Sequence, residues 1–299
     1  MYRMAKIKGL LERLWEKTIR AGWYRADHVS EENPVVIGGC ARSGTTLMRV
    51  MIDTHPNIYC GPETGLLYLR TLTRRKIRKL SQKLEVPEKD IKAMMRGTYS
   101  YFSFVETLFD HLRKKAGKPR WGDKSPQNVL HLDRIFHHFP EAKFIHMIRD
   151  GRDTACSLRT FPRYRMVDGR RVELDTDNPL DQCVRKWVHD VEEGMRYRGD
   201  PRYIEIKYED LIENDEETLI RVFEFLGEPW DEQVIKYYEI ESPNRSEEKM
   251  PQNLGATKPI YRTAHGRWRN EFTEDDKQLF KAVAGDLLVT LGYEEYNNW

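Results

Sequence analysis

The chain reads as an α/β protein in which a central parallel sheet is covered on both faces by helices. Short apolar strand segments alternate with longer helical patterns. With 299 residues, 39% hydrophobic and 11% aromatic, the chain also has enough apolar material for a sizeable core. No internal repeat or low-complexity tract interrupts it. The expected organisation is a basic amphipathic helix and linker over 1–33, then a single domain over 34–299.

In residues 1–33, Met4, Ile7, Leu11, Leu14, Trp15 and Ile19 recur at helical spacing, and Lys6, Lys8, Arg13, Lys17 and Arg20 fill the other face. Such a helix either rests on an anionic membrane surface or packs on its own domain. The acidic linker 30–34 leads into the first strand, Val35, Val36 and Ile37. Residues 142–148 and 203–207 read as two further strands. Asn214 with Glu217, and Thr273 with Asp276, form capping-box patterns ahead of apolar-periodic helices that stop at Gly227 and Gly292. Two stretches read as decorations: the basic segment 70–96, and 162–179, whose charge and turn residues suggest a loop over a site.

Composition excludes several classes. Fifty Lys+Arg against 48 Asp+Glu leave a net charge of +2, so nucleic acid is not an expected partner. Cys40, Cys60, Cys156 and Cys183 include no CxxC pair, which argues against a zinc site or a disulfide scaffold. The pair His137 and His138 falls at a helix end before Pro140, and no metal is expected. No apolar run approaches the roughly 18 residues of a membrane span, and no signal peptide is legible. The expected location is the reducing cytoplasm.

The strongest local signal follows the first strand. Gly38, Gly39, Cys40, Ala41, Arg42, Ser43, Gly44, Thr45, Thr46 and Leu47 precede a helical pattern through Met48, Met51 and Ile52. Strand, glycine loop and helix together point backbone N–H groups and a helix N-terminus at an anion. From Gly39 the spacing is close to a P-loop, with Thr45 where the triphosphate-binding lysine normally stands. With Arg42 inside it, the loop suits one phosphate-like group. A second anion site is readable at Arg149, Asp150, Gly151, Arg152, Asp153, Thr154, Ala155, Cys156 and Ser157, where a cation and a hydroxyl open a helix at a strand end.

These two segments resemble, in order, the 5′-phosphosulfate loop and the 3′-phosphate element of sulfotransferases that use 3′-phosphoadenosine 5′-phosphosulfate (PAPS). The resemblance runs from about Pro34 to Tyr293. It implies a P-loop-type sulfotransferase fold, with Arg42, Ser43, Gly44, Thr45 and Thr46 at the 5′-phosphate and Arg149 and Ser157 at the 3′-phosphate. The nearest branch is the tyrosylprotein sulfotransferases. There, a Glu directly before Thr is the general base, which implies Glu63 in Cys60-Gly61-Pro62-Glu63-Thr64, 21 residues after Arg42. Trp121-Gly122-Asp123-Lys124-Ser125-Pro126 is similar to the segment carrying a catalytic lysine, Lys124. Tyr208-Glu209-Asp210-Leu211 implies Tyr208 beside the adenine. Lys258-Pro259, with Trp268 ten positions on, implies Lys258 as a further contact, and Ser246 is one near the bridging oxygen.

The sequence departs from that branch in two ways. The cysteine that would pair with Cys60 is replaced by Gly122, and no apolar run in these 299 residues matches the membrane anchor of the Golgi enzymes. Small-molecule sulfotransferases use a His just after the lysine, where Ser125, Pro126 and Gln127 stand here. The expected activity is transfer of a sulfuryl group from PAPS to an acceptor hydroxyl, leaving PAP, the desulfated product, with Arg42 and Lys124 neutralising charge and Glu63 taking the proton. Acceptors of this type are a tyrosine or phenol, or a hydroxyl of a small molecule, lipid or glycan. A homodimer and peripheral membrane contact are further expectations. Basic residues 70–83 are candidates for the wall of an acidic-substrate cleft. Read without the resemblance, Glu63 is a carboxylate at a helix N-terminus and Lys124 a surface lysine. The rival classes are a P-loop-like kinase and a non-catalytic nucleotide-binding module.

Overall fold

Val35 to Gly39 is buried along its whole length, and period two sends Val36 to one face of a sheet and Val35 and Ile37 to the other. A computed structural model describes residues 22–161, 177–240, 255–260, 265–297 and 299, and the backbone of 163–167 and 170–174. The strands are β1 (Val35–Gly39), β2 (Ile58–Cys60), β3 (Arg120–Lys124), β4 (Lys143–Ile148), β5 (Arg163–Val167), β6 (Arg170–Leu174) and β7 (Tyr203–Lys207). Five of them form one parallel sheet in the order β2-β3-β1-β4-β7, as the sequence predicts for a central parallel sheet. Residues 1–21, which hold most of the expected basic amphipathic helix, and Ser246 lie outside the described residues. Among the described residues, no helix is long and apolar enough to cross a membrane.

One face of the sheet packs on an aromatic core of Phe104, Phe109, Trp121, Phe139, Phe144 and Tyr203. The other packs on α1 (Thr45–Thr54) through Met48, Met51 and Ile52, and on Leu219, Val222 and Phe223. In between lie α2 (Arg74–Leu84), α3 (Glu88–Gly97), α4 (Tyr101–Lys115) and α5 (Leu132–His138). They are followed by α6 (Gly151–Arg159), α7 (Leu180–Met195), α8 (Tyr208–Glu213), α9 (Asp215–Leu226), α10 (Trp268–Glu271) and α11 (Glu274–Thr290). Trp187 of α7 and Phe280 of α11 anchor a third cluster beside α6. Trp121, Trp187 and Trp268 are all buried packing residues.

Several local expectations hold and others do not. Thr273 and Asp276 form a reciprocal capping box, and Gly227 ends α9 in the left-handed conformation. Asn214 precedes α9 without a side-chain cap bond, because its backbone is already closing the last turn of α8 onto Asp210. The stretch 162–179 carries the antiparallel hairpin β5–β6 rather than a plain loop. Segment 70–96 is not mere decoration, since Ile77, Leu80, Leu84 and Ile91 bury the apolar sides of α2 and α3. Strands β2 and β3 were not legible. The first is three residues long, and the second reads Arg-Trp-Gly-Asp-Lys yet is wholly buried. Long-range partners satisfy it: the Arg120 guanidinium donates to the carbonyls of Asn33 (2.6 Å) and Leu226 (2.8 Å) and to Glu228 (3.1 Å).

The topology fixes where a site can form. The chain runs from β1 out to β2, back to β3 and then across β1 to β4, so the strand order reverses at β1 and the C-terminal ends of the parallel strands share one edge with a switch point there. Lys124 ends β3, while the loop 40–44, Glu63, Arg149 and Tyr208 immediately follow β1, β2, β4 and β7.

Candidate active site

The loop after β1 owes its shape to two glycines and one strained arginine. A Cβ on Gly39, at φ 143°, would sit 2.2 Å from the Met147 carbonyl oxygen of the neighbouring strand. Gly44, at φ 86°, is the N-cap of α1, and a Cβ there would strike the Tyr208 ring at 2.5 Å. Arg42 is held at φ 77°, one of two described non-glycine residues with positive φ. The first turn of α1 has no acidic residue and no side-chain cap, so its leading N–H groups remain available to an anion. The buried Ser43 hydroxyl has no hydrogen-bond partner among the described residues.

This loop opens onto a cavity of about 220 Å³. Arg42, Arg149, Arg267, Thr45, Thr46 and Ser157 form its polar wall, and Tyr208, Ile212, Tyr237, Ala256 and Ile260 its apolar one. No carboxylate lines it among the described residues. Arg149 is buried, stacks its guanidinium 4.8 Å from the Tyr208 ring, and donates to the Arg42 carbonyl at 3.2 Å. Trp187 Nε1 in turn donates to the Arg149 carbonyl at 3.1 Å. Arg42 Nε donates to Ser157 Oγ at 3.0 Å. Lys258 belongs to the segment that supplies Gly255, Ala256 and Ile260, and its carbonyl accepts from the Tyr237 hydroxyl at 2.5 Å. Its exposed side chain is not among the lining groups.

A second cluster adjoins the start of α1. Lys124 is 2% exposed and its ammonium reaches Glu63 Oε2 at 3.3 Å and Thr46 Oγ1 at 3.4 Å. The cation that the loop lacks at Thr45 therefore arrives from another strand, and Lys124 is no surface lysine. Glu63 is not at a helix N-terminus either; it lies in the loop after β2, with 36% of its side chain exposed. Neighbours fix its backbone. Lys83 Nζ of α2 donates to the Glu63 carbonyl at 2.5 Å, and Thr64 Oγ1 donates to Asp123 at 2.7 Å. Asp123 also accepts from Asn128 Nδ2 at 2.9 Å, and Ser125 Oγ accepts from Gly65 N at 3.1 Å. Burial raises the Asp123 carboxyl above its ordinary range, against the pull of the Asn128 and Thr64 hydrogen bonds.

Cys60 and Gly122 are register partners on β2 and β3, and a Cβ on Gly122 would lie 3.3 Å from Cys60 Sγ. Cys60 is a free buried thiol whose pKa is pushed up by burial. Sequence reading missed Arg267 and Asp123, and it placed Lys83 among the basic residues beside a substrate cleft without its bond to the Glu63 carbonyl. Arg267 follows Gly266 in a turn, a weak signal on its own. Asp123 neighbours Lys124 but, in a strand, points to the opposite face.

Comparison with known proteins now carries weight. Residues 34–232 match the sulfotransferase family. The protein-tyrosine sulfotransferase of Drosophila melanogaster is 30% identical over 295 residues, covering 95% of this chain and 56% of that protein, so the chain spans about half its relative's length. The sulfotransferase domain of a Synechococcus olefin synthase superposes with a TM-score of 0.63 at 24% identity, over 88% of this chain and 98% of that one. A mouse sulfotransferase complexed with PAP gives a TM-score of 0.53 at 15% identity, over 91% and 90%. The matched stretch holds the glycine loop, Glu63, Lys124, Arg149, Ser157 and Tyr208, and the chain belongs to the sulfotransferase family.

Proposed function

We propose that the protein transfers a sulfuryl group from PAPS to an acceptor hydroxyl, a protein tyrosine being the acceptor suggested by its relative's name. One observation carries the reading. A cavity walled by three arginines, hydroxyls and a helix N-terminus, with no lining carboxylate among the described residues, adjoins a buried lysine paired with an accessible glutamate. The donor has two separate anionic ends and an aromatic base. The cavity's residues fit all of these: Ser43 to Thr46 for the 5′ end, Arg149 and Ser157 for the 3′-phosphate, and the apolar wall beside Tyr208 for the adenine. Lys258 belongs to the segment that supplies Gly255, Ala256 and Ile260 to the cavity wall. PAPS supplies the migrating sulfuryl group and a phosphate leaving group.

The chain's own residues then divide the work. Lys124 and Arg42 present positive charge where oxygen charge develops, in a site needing little reorganisation. Glu63, oriented through Lys83 and Thr64, accepts the proton of the incoming hydroxyl. Its exposure leaves it open to an acceptor. The family match over 34–232 and the contribution of Arg267 to the same cavity support reading 34–299 as one domain.

Calorimetric titration tests the reading. PAP is expected to bind tightly, ATP with Mg²⁺ weakly, and Arg149→Ala to weaken PAP by about 10- to 100-fold through loss of a charge-assisted contact. Binding of ATP with no response to PAP would favour the kinase class instead.

A further inference from the structure

We infer that Asp153 is a positioning residue for the donor site: its buried carboxylate holds the 266–268 turn so that Arg267 stands in the cavity wall that Arg149 also lines. The inference rests on the donor-site reading above. Asp153 lies in the first turn of α6, buried, and its two oxygens accept from backbone groups more than a hundred residues away. Oδ2 takes the Gly266 N–H at 2.7 Å and Oδ1 takes the Trp268 N–H at 3.1 Å. The residue between those clamped amides is Arg267. Its side chain is fixed as well, because Nε and Nη2 fork onto Glu271 at 2.7 and 3.0 Å. Main chain and side chain are thus ordered before any ligand arrives, which removes part of the ordering cost from binding.

Electrostatics separates this role from the obvious alternatives. Oδ2 of Asp153 also lies 3.9 Å from Arg149 Nη2. A buried negative charge at that range competes with a ligand anion for the same guanidinium. On charge alone, neutralising Asp153 would therefore tighten PAP binding. A merely structural role would lower the melting temperature and leave PAP affinity alone. Positioning makes the opposite prediction to the first and a different one from the second: affinity falls, and it falls through Arg267.

A double-mutant cycle on the full chain, read by calorimetry with PAP, decides among them. Arg267→Ala is expected to raise the PAP Kd about tenfold, the scale of one charge-assisted contact. Asp153→Asn should raise it by about three- to tenfold, and the double variant should bind no more weakly than Arg267→Ala. A tighter or unchanged Kd in Asp153→Asn, or additive losses in the double variant, would overturn the inference. Wild-type protein that ignores PAP would overturn the donor reading and this role with it. Should Asp153→Asn not fold, amide exchange in the wild type reads the clamp directly. Slow exchange at Gly266 and Trp268 without PAP is expected, and fast exchange there would refute the clamp.

Discussion

At the donor end of the cleft, Arg149 is buried, stacked on Tyr208, tied to the Arg42 carbonyl and backed by Trp187. At the acceptor end, Glu63 stands in a loop with a third of its side chain exposed, and the bonds from Lys83 and Thr64 hold the chain around it rather than its carboxylate. Under the proposed function, the contrast follows from what each end would have to do. A polyanion is bound best by cations fixed in advance in a poorly solvated wall. A general base has to meet an incoming hydroxyl, so it needs a fixed origin but an accessible tip. Lys124 joins the two ends, touching Glu63 and the Thr46 hydroxyl at once.

The sharpest way to break this division is Glu63→Gln. Turnover with PAPS should fall by at least about 10²-fold, within the usual range for losing a general base. The PAP Kd and melting temperature should stay close to wild type, because a glutamine at 63 can still accept from Lys124, the residue that links it to Thr46. A parallel loss of PAP affinity would show that the two ends are not separable.

The donor end should also be the acid-sensitive one. His146 lies on β4 beneath the glycine loop, where a Cβ on Gly39 would come within 3.4 Å of its ring. The Tyr203 hydroxyl gives its proton to Glu205 at 2.9 Å, so His146 Nδ1 is the donor in its 2.5 Å bond to that hydroxyl. The buried Nε2 then has no acceptor among the described residues to receive a second proton. Burial lowers the His146 pKa from 6.5 to about 4. Above pH 6.5 the ring is neutral in folded and unfolded chains alike and contributes no pH dependence. As pH falls from 6.5 toward 4, the unfolded chain takes up a proton that the folded one refuses, and stability drops by up to about 3 kcal/mol. Urea midpoints measured across that window should fall, and His146→Gln should flatten the fall. An unaltered slope in the variant would remove His146 as its cause.

The same contrast explains what could be read in advance. The donor loop is local: Gly39, Arg42 and Gly44 lie within six residues, and their spacing alone specifies a strand, a turn with positive φ and a helix start. Arg149 and Ser157 are eight apart on one strand end and helix, again a local pattern. What surrounds Glu63 is not local. Lys83 comes from α2, Asp123 from β3 and Asn128 from the turn after it, and β3 has no apolar alternation to announce it. Arg120, Asp123 and Lys124 are buried there only because distant groups pair with them, and that pairing is invisible in a sequence window. Arg267 was missed for the same reason, its place being set by Asp153, more than a hundred residues earlier.

The smallest expected effect concerns α2, which reaches the acceptor end through Lys83. Ile77, Leu80 and Leu84 bury its apolar stripe, while Arg74, Arg75, Arg78 and Lys79 face solvent. Arg74, Arg75 and Lys76 occupy the first turn, where no acidic residue balances them. Cations at a helix N-terminus oppose the helix dipole at a cost of about 0.3–1 kcal/mol each, so helix stability does not account for them. Under the proposed function they would instead attract an acidic acceptor to the neighbouring cleft. Replacing all three by Ala should therefore raise the KM for an acidic acceptor several-fold, mostly at low salt, with kcat and the PAP Kd unchanged. The helix itself should become slightly more stable, since the dipole penalty is relieved. A KM that stays constant across ionic strength would detach α2 from acceptor binding and leave Lys83, through the Glu63 carbonyl, as its one link to the chemistry among the described residues.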